Sequence, residues 1–223
     1  MHIPDGLITP EIAALMYIIS LTFLAWCWRK AKTTYERSLA SLLAVSSAFI
    51  FVAQMINFPI AYGTSGHLVG GTFLAVLLGP YAAALGMTIV LLMQALFFAD
   101  GGIMALGANI FNMAVIGALS FFIIKYLAKN AGSRKGLFFT SVFVASWLSV
   151  VLGALACALE ISPAFSNVGG ITSTIPAMLF WHVLISLFEA TITTTLTTQL
   201  WRLQPTALSG LNILMRGEHA RLP

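Results

Sequence analysis

The first two residues of the chain could bind a transition metal. A free amino group on Met1, the peptide nitrogen of His2 and Nδ1 of the His2 imidazole follow one another along a short stretch of backbone. These three nitrogens can close two fused chelate rings around one ion. We expect Met1 to be retained, because His2 is too large for the usual removal of an initiator methionine. Pro4 has no N–H and should stop peptide ligation from continuing along the chain.

A fourth ligand must come from elsewhere in the chain, and His67 is the candidate. It follows the small residues of segment 63–66, which let the backbone bend tightly. Four nitrogens in a plane suit Ni(II) or Cu(II), whereas Zn(II) prefers a tetrahedron and Mg(II) or Ca(II) prefer oxygen. We therefore predict that Met1, His2 and His67 bind Ni(II), with release of protons and weaker binding in acid. Copper would bind at least as well, so its exclusion must come from its availability or reduction.

Each of these ligands also has an ordinary interpretation. A chain that starts Met-His usually has a flexible terminus, and a single histidine in a loop is usually a surface residue. The choice between metal binding and these ordinary interpretations therefore depends on whether the helices bring the N-terminus and His67 together.

The composition is that of an integral membrane protein. Of 223 residues, 59% are hydrophobic and 8% charged, and the mean hydropathy is +0.95. The start lacks the basic stretch and apolar core of a secretory signal peptide. A pI near 9.3 does not indicate a nucleic-acid partner, because the basic residues lie between apolar runs, where membrane orientation explains them. We predict a single transmembrane domain over residues 1–223.

Apolar runs of helical length alternate with short polar stretches. Most approach the roughly 20 residues that cross a bilayer as a helix, and the long run over 68–98 is interrupted at Gly79-Pro80. The runs cover residues 10–28, 38–58, 68–79, 81–98, 103–128, 137–158 and 175–201. We predict an all-α integral membrane protein with seven transmembrane helices over 10–201. A metal-chelating segment, 1–9, precedes them, and a cytoplasmic tail, 202–223, follows.

The basic residues predict the orientation of these helices. All eleven lysines and arginines fall into three groups, after the first, fifth and last runs: Arg29, Lys30, Lys32 and Arg37; Lys125, Lys129, Arg134 and Lys135; Arg202, Arg216 and Arg221. Loops on the cytoplasmic side are enriched in these residues. All three groups therefore belong inside, which requires segment 68–98 to cross twice. The N-terminus is then outside and the C-terminus is cytoplasmic.

The outer face of this topology carries no lysine or arginine. It comprises residues 1–9, the loop 59–67, the turn 100–102 and the loop 159–174. Its ionisable residues are His2, Asp5, Glu11, His67, Asp100 and Glu160. Such a balance favours an incoming cation through the local potential. The third run is too short for a full crossing and begins directly after His67, which places that imidazole near the outer surface.

Several polar residues lie within or beside the apolar runs. Those near the outer ends could hydrogen-bond the second ring nitrogen of a ligand histidine: Gln54, Asn57, Gln94, Asn109 and Asn112. His182 and Glu189 lie on nearly the same face of the last helix. Ionisable residues inside a membrane are functional candidates, although hydrogen-bonded packing is their more common role.

Small and sulfur-containing residues suggest how helices pack. Ala40, Ala44 and Ala48 form a smooth stripe on the second helix, suited either to packing inside the body or to contact with a partner membrane protein. Cys27 and Cys157 fall on different spans and opposite faces, so we predict that they pack in the core and do not pair.

Motifs exclude some functions. The chain has no P-loop, CxxC, HExxH or GxSxG signature, so it should not hydrolyse ATP, and we do not expect an enzyme. Two other functions remain as alternatives to a metal-binding membrane protein. A membrane-embedded hydrolase would use His182 with a serine such as Ser186, but no activated-nucleophile signature supports it. A passive cation channel would need polar residues along several helices, whereas Glu189 is the only deep, charged residue.

Three segments resemble the substrate-specific subunits of nickel and cobalt energy-coupling factor (ECF) importers, the NikM/CbiM-like family. The resemblance covers roughly residues 1–200, and its N-terminal motif is highly specific. The segments are Met1-His2-Ile3-Pro4-Asp5-Gly6, then Asn57-Phe58-Pro59 with Gly63-Thr64-Ser65-Gly66-His67-Leu68-Val69-Gly70-Gly71, and Gly101-Gly102-Ile103-Met104-Ala105-Leu106-Gly107-Ala108-Asn109 with Asn112-Met113.

The resemblance implies a six-helix body plus an additional N-terminal helix whose end inserts into that body, with metal ligands at Met1, His2 and His67. It also implies partners in a prokaryotic plasma membrane: a coupling transmembrane subunit, two cytoplasmic ATPase subunits and a small accessory membrane subunit. It implies no cofactor beyond the transported Ni(II), or Co(II) as the alternative cargo. Pro4-Asp5 resembles the nickel branch more closely, and the Irving–Williams order places Ni(II) above Co(II) at the same nitrogens.

Overall fold

The computed structural model describes residues 1–36, 39–129, 135–204 and 208, and within them the chain is mostly helical. The helices are α1 (Pro10–Thr34), α2 (Leu39–Gln54), α3 (Gly71–Leu78), α4 (Pro80–Phe97), α5 (Leu106–Asn109), α6 (Ile116–Ala128), α7 (Lys135–Ile161) and α8 (Ile171–Leu203). A π-helical turn over Ile110–Val115 joins α5 to α6, and a 3-10 turn over Ser162–Val168 follows α7. Two short antiparallel strands, β1 (Phe58–Pro59) and β2 (Ser65–Gly66), pair in the loop before α3.

Five helical stretches of the described chain are long and apolar enough to cross a membrane: Pro10–Thr34, Pro80–Phe97, Leu106–Ala128, Lys135–Val168 and Ile171–Leu203. α2 is a shorter apolar helix of 16 residues, and α3 has 8 residues. Each of the seven predicted apolar runs overlaps one of these helices. The chain is therefore an all-helical, multi-pass membrane protein.

The interruption predicted between the third and fourth runs lies at Gly79. Glycine adopts a φ of 83° at little cost. Pro80 then begins α4, a position where the helix does not need the N–H that proline lacks. Every residue of α3 is buried, so this short helix lies within the body. It begins at Gly71 and not at the predicted residue 68, because Gly70 has a left-handed φ of 76°, which a right-handed helix cannot include. The Glu189 side chain accepts hydrogen bonds from the N–H groups of Val69 and Gly70 just before the helix.

Two apolar clusters hold the helices together. The larger is built mainly on α3, α4, α6 and α7, and the Met1 side chain is part of it. The smaller surrounds the N-terminal segment, where Ile3 packs with residues of α7 and α8 such as Ile161 and Met178. Cys157 belongs to this second cluster, while Cys27 lies in a third group with Ala84 and Ala118. Both cysteines are buried and free, as predicted.

The described basic residues lie at the helix ends opposite the N-terminal segment. Arg29, Lys30 and Lys32 are in the last turns of α1, Lys125 and Lys129 are at the end of α6, and Lys135 and Arg202 begin α7 and end α8. The predicted outer loops meet at the other end, where Asn57 contacts Asp100 and Tyr62 packs on Phe165. Arg37, Arg134, Arg216, Arg221 and most of the predicted tail 202–223 lie outside the described residues.

The alanine stripe of α2 faces outward. Ala40, Ala44 and Ala48 are all exposed, so the interpretation as internal packing does not hold in the described part of the chain. The stripe is available to lipid or to another membrane protein.

Candidate metal centre

The N-terminal segment inserts into the helical body. Met1, His2 and Ile3 are 1%, 3% and 0% exposed. Burying the apolar Met1 and Ile3 side chains favours this position by about 1.5–3 kcal/mol each. The interpretation of residues 1–3 as an exposed, flexible terminus is therefore wrong for this structure.

Backbone pairing holds the segment in register. The Asn109 side chain accepts a hydrogen bond from Ile3 N (2.8 Å) and donates one to Ile3 O (3.1 Å). Gly102 N also donates to Ile3 O, at 2.9 Å. A Cβ on Gly102 would collide with Asp5, so glycine permits this close approach. The Asn109 side chain thus hydrogen-bonds both the backbone N–H and the backbone C=O of Ile3, as a residue of a neighbouring β-strand would.

Asp5 ties the same segment to the start of α5. Its carboxylate accepts hydrogen bonds from the backbone N–H groups of Ile103 (3.1 Å), Met104 (2.8 Å) and Ala105 (3.3 Å). A carboxylate at a helix start satisfies N–H groups that have no partner within the helix. The sequence does not indicate this role of Asp5, because these bonds join residues about a hundred positions apart and leave no local pattern.

The structure brings Met1, His2 and His67 together, as the proposed ligation requires. The Met1 amino nitrogen lies 3.0 Å from His67 Nε2, and it also donates to Ser65 O. Metal–nitrogen bonds of about 2.0 Å place neighbouring corners of a square plane about 2.8 Å apart. The His2 and His67 rings have centroids 4.6 Å apart and planes 28° apart. The Met1 amino nitrogen and His67 Nε2, 3.0 Å apart, therefore already have nearly the spacing of adjacent ligands.

The tautomer of His67 follows from a backbone contact. Its Nδ1 lies 2.8 Å from Leu68 O, an atom that can only accept a hydrogen bond. Nδ1 must therefore carry the proton, which leaves the lone pair on Nε2. That nitrogen is the one that faces the Met1 amino group.

The tautomer of His2 follows from two buried glutamines. Gln54 Nε2 donates to Val69 O (2.6 Å), so Gln54 presents its oxygen to Gln94 Nε2 (3.0 Å). Gln94 Oε1 then faces His2 Nε2 at 3.1 Å, and this nitrogen must donate. The lone pair of His2 is left on Nδ1, the nitrogen that can chelate together with Met1. Gln94 was one of five candidates for this contact in the sequence, and the structure selects it.

The remaining polar candidates have other partners. Asn57 donates to Asp100 Oδ2 (3.1 Å), and Asn112 donates to Glu160 Oε2 (2.6 Å). Glu189 accepts from Val69 N (2.6 Å) and Gly70 N (2.8 Å), which anchors the loop that carries His67 to α8. Glu189 is therefore a hydrogen-bonded packing residue that also positions a ligand loop.

His182 and Ser186 do not form a catalytic pair. His182 Nδ1 contacts Met178 O at 2.8 Å, and the Ser186 hydroxyl donates to Val183 O at 2.8 Å. Each side chain is thus bonded to the backbone of its own helix, and within the described residues the serine hydroxyl donates to that backbone and not to a base, as a hydrolase nucleophile would.

Burial keeps the nitrogens of the site neutral. It lowers the pKa of the Met1 amino group from 8.0 to about 5 and the pKa of His2 from 6.5 to about 3, with the N-terminal charge lowering the His2 value further. The pKa of His67 is also well below 6.5, for the same reasons. Neutral amines and imidazoles offer lone pairs to a metal ion, whereas their protonated forms do not.

Asp100 lies beside the predicted ligands but does not form a salt bridge with them. Its Oδ1 is 3.4 Å from His2 Nδ1, a distance within the usual limit for an ion pair. However, the pKa of about 3 keeps His2 neutral near pH 7, and His2 Nδ1 has no hydrogen-bond partner. Partial burial raises the pKa of Asp100, while the Met1 amino group and Asn57 lower it.

Side chains alone would not make a metal site here. Within the described residues, no group of three or more His, Cys, Asp or Glu side chains is arranged to hold a metal ion. A donor set at this position would therefore have to draw on backbone groups as well as on the two imidazoles.

Comparison with known proteins agrees with a metal-transport fold. Residues 2–207 match the family described as the cobalt uptake substrate-specific transmembrane region, CbiM. A putative fused nickel transport protein, NikMN, of Archaeoglobus fulgidus is 42% identical over 193 residues, which cover 86% of this chain. This chain spans 63% of the length of that fused protein. A putative cobalt transport protein, CbiM, of the same organism is 37% identical over 177 residues, covering 78% of this chain and 79% of that protein.

A solved structure shares the fold. The crystal structure of a truncated transition metal transporter superposes with a TM-score of 0.82 at 34% identity, covering 91% of this chain and 99% of that chain. Together with the match over residues 2–207, this likeness shows that the chain belongs to the cobalt uptake substrate-specific transmembrane family.

Proposed function

We propose that this chain captures Ni(II) at the outer face of a prokaryotic plasma membrane, as the substrate-binding subunit of an ATP-driven ECF transporter. The metal is held in a square plane by the Met1 amino nitrogen, the peptide nitrogen and Nδ1 of His2, and Nε2 of His67. The observation that carries the proposal is the 3.0 Å approach of Met1 N to His67 Nε2. The hydrogen bonds around both imidazoles leave the lone pairs on the two nitrogens that this chelate needs.

Co(II) is the second candidate cargo, because relatives are named for nickel and for cobalt transport. Two arguments favour Ni(II). A planar set of four nitrogens matches its preferred geometry, and Ni(II) stands above Co(II) in the Irving–Williams order. The transported ion is the cargo in this proposal and is not a cofactor of the protein.

The proposed topology has seven crossings, with the N-terminus outside and the C-terminus cytoplasmic. It divides residues 1–223 into the metal-binding segment 1–9, the helices 10–201 and the tail 202–223. The separation of the basic helix ends from the N-terminal segment supports this orientation. α1 is the additional helix, and the other six crossings form the body, with α5, the π-helical turn and α6 counted together as one crossing.

The energy for transport comes from partner proteins in this proposal. The sequence contains no P-loop, so two cytoplasmic ATPase subunits must hydrolyse ATP. A coupling transmembrane subunit connects them to this chain, and a small accessory membrane subunit completes the assembly. The exposed alanine stripe of α2 supports contact with a membrane partner, since small residues let two helices approach closely in lipid.

The first prediction tests the chelate at the N-terminus. Purified protein titrated with Ni(II) should form a yellow, diamagnetic species, as expected of a square-planar d8 ion. Acetylation of the Met1 amino group should abolish this absorption band, because the amino nitrogen is then no longer available in the chelate. Optical spectroscopy and competition with a soluble chelator measure both effects.

Two comparisons separate loss of ligation from loss of folding. Protein carried through the same treatment without the acetylating reagent is the matched control and should keep the band. His67→Ala leaves the docked terminus and three nitrogens in place, so the band should shift as water replaces the fourth nitrogen. Tight Ni(II) binding by the acetylated protein, with an unchanged spectrum, would show that the chelate is wrong.

A further inference from the structure

The proposed Ni(II) complex carries charge into a buried place. The ion brings two positive charges, and the deprotonated peptide nitrogen of His2 supplies one negative charge. The other three nitrogens are neutral, so the complex has one net positive charge. Met1, His2 and His67 are at most 3% exposed. An uncompensated charge in such surroundings is costly, so a stable complex needs a negative group close by.

Most carboxylates near this end of the bundle are already bound. Asp5 accepts from three backbone N–H groups at the start of α5. Glu189 accepts from two backbone N–H groups, and Glu160 accepts from the Asn112 amide. Asp100 differs, because its Oδ2 accepts from Asn57 while its Oδ1 points toward His2 Nδ1 at 3.4 Å.

Asp100 also lies between the ligands and solvent. Its side chain is 16% exposed, whereas that of His2 is 3% exposed. An ion arriving from outside can therefore reach the Asp100 carboxylate before it reaches the nitrogens. Carboxylate oxygens bind hydrated divalent cations readily, and exchange of one water for one carboxylate oxygen leaves the remaining waters in place.

The backbone around Asp100 holds the carboxylate in this position. The preceding residue, Ala99, has a φ of 53°, and the following residue, Gly101, has a φ of 93°. A left-handed conformation at alanine costs about 1–2 kcal/mol and persists only when its surroundings impose it. Here Asp100 N donates to Gln94 O (3.2 Å) at the end of α4, on the residue whose side chain faces His2.

We propose that Asp100 is the capture carboxylate of this site, a step that rests on the proposed function. Oδ1 takes the hydrated divalent cation from the outer solution, with loss of a bound water. The cation then moves to the four nitrogens as its remaining waters and the oxygen are replaced, and the His2 peptide proton leaves to bulk water. Asp100 stays beside the finished complex as its counter-charge and is not one of its four ligands.

The second prediction is that Asp100→Asn slows Ni(II) association. The substitution keeps the shape and the contact to Asn57 and removes the charge. Stopped-flow absorbance of the full chain should show association about tenfold or more slower at low salt. Unsubstituted protein should also bind more slowly as salt is raised, whereas Asp100→Asn should show a weaker salt dependence. The final absorption band should be the same in both proteins.

Two further variants serve as controls. Glu11→Gln removes an exposed carboxylate from the same end of the protein and should leave the association rate nearly unchanged. Asp100→Glu keeps the charge and should recover most of the lost rate. Thermal unfolding of each variant shows whether it is folded. The salt dependence of the unsubstituted protein tests the electrostatic attraction without any substitution.

Three results would overturn the assignment of Asp100. Association of Asp100→Asn at the unsubstituted rate and salt dependence would show that the carboxylate does not capture the ion. A changed final band in that variant would show that Asp100 is a ligand of the finished complex. Absence of the four-nitrogen band in the unsubstituted protein would refute the proposed function itself, and the counter-charge with it.

Discussion

At the scale of single residues, hydrogen bonds decide which nitrogens can bind a metal. His67 carries its proton on Nδ1, because Leu68 O can only accept a hydrogen bond. Gln54 must turn its amide nitrogen to Val69 O, so Gln94 turns its oxygen to His2, and His2 therefore carries its proton on Nε2. The lone pair of His67 Nε2 therefore faces the Met1 amino group, and the lone pair of His2 is left on Nδ1, the nitrogen that can chelate together with Met1. A ligand histidine commonly has its other nitrogen bound in this way, and loss of such a partner typically lowers metal affinity by about 10- to 100-fold.

The third prediction concerns protons released on binding. Because burial lowers the pKa of the Met1 amino group to about 5 and that of His2 to about 3, both are neutral near pH 7, as is His67. Only the His2 peptide N–H then has a proton to lose. We expect about one proton per Ni(II), and an apparent Kd that weakens about tenfold per unit as pH falls from 8 to 6.

Proton release measured in weakly buffered solution during Ni(II) titration tests this prediction. Below about pH 5 the Met1 amino group also takes up a proton, so the pH dependence should become steeper there. Release of about two protons at pH 7 would mean that the amino group keeps its ordinary pKa. No release would mean that the peptide nitrogen is not a ligand.

At the scale of elements, short connections place the proposed ligands. Gly70 has a left-handed φ of 76°, which ends the loop of His67 and lets α3 begin at Gly71, and Glu189 of α8 accepts from the N–H groups of Val69 and Gly70. This contact of Glu189 holds the loop of His67 against α8, while Asn109 and Asp5 hold the N-terminal segment against α5. The proposed ligands thus lie outside the helices, in segments that side-chain hydrogen bonds anchor to α5 and α8.

The fourth prediction is that Glu189→Gln weakens the anchor of the His67 loop. The glutamine side chain has one acceptor oxygen where the carboxylate has two. One of the N–H groups of Val69 and Gly70 therefore loses its hydrogen-bond partner inside the body. We expect a loss of about 1–3 kcal/mol in unfolding free energy. Ni(II) should also dissociate faster, because His67 is held less firmly.

Thermal unfolding and the rate of Ni(II) loss to a soluble chelator measure these effects, and amide hydrogen exchange at residues 65–70 shows whether the loop itself opens. Thr191→Val is the matched control, since this exposed residue of α8 donates only to Leu187 O of its own helix. Equal exchange of residues 65–70 in Glu189→Gln and unsubstituted protein would contradict the anchoring role.

At the scale of the whole molecule, one end of the bundle is polar and binds the N-terminal segment, while the described basic residues lie at the other. Between the ends, α2 presents Ala40, Ala44 and Ala48 outward. The proposed metal site at one end and the smooth helix face on the side suit the proposed function, in which the chain binds the cargo itself and a membrane partner connects it to the source of energy.

The fifth prediction is that Ala44→Phe weakens assembly with the coupling subunit and leaves Ni(II) binding intact. The large ring would keep a partner helix from the close approach that small residues allow. Co-purification of the coexpressed subunits measures assembly, and optical titration of the isolated chain measures binding. Ala25→Phe, at an exposed alanine of α1, is the control. Full assembly of the Ala44→Phe protein would show that this face is not the contact.

The sequence by itself determined the class of protein and the candidate ligands. Long apolar runs must be helices in a membrane, because lipid offers no hydrogen-bond partners to the backbone. The order of amino, peptide and imidazole nitrogens at Met1 and His2 is local, so the chelate could be recognised from two residues. The position of the interruption at Gly79-Pro80 was equally local and was confirmed.

Only the tertiary structure decided which residues meet. The approach of Met1 to His67, the selection of Gln94 among five polar candidates, and the orientation of Asp100 depend on contacts between distant segments. The late start of α3 and the outward direction of the alanine stripe have the same origin. Local patterns cannot specify such contacts, because side chains far apart in sequence become neighbours only when several helices pack together.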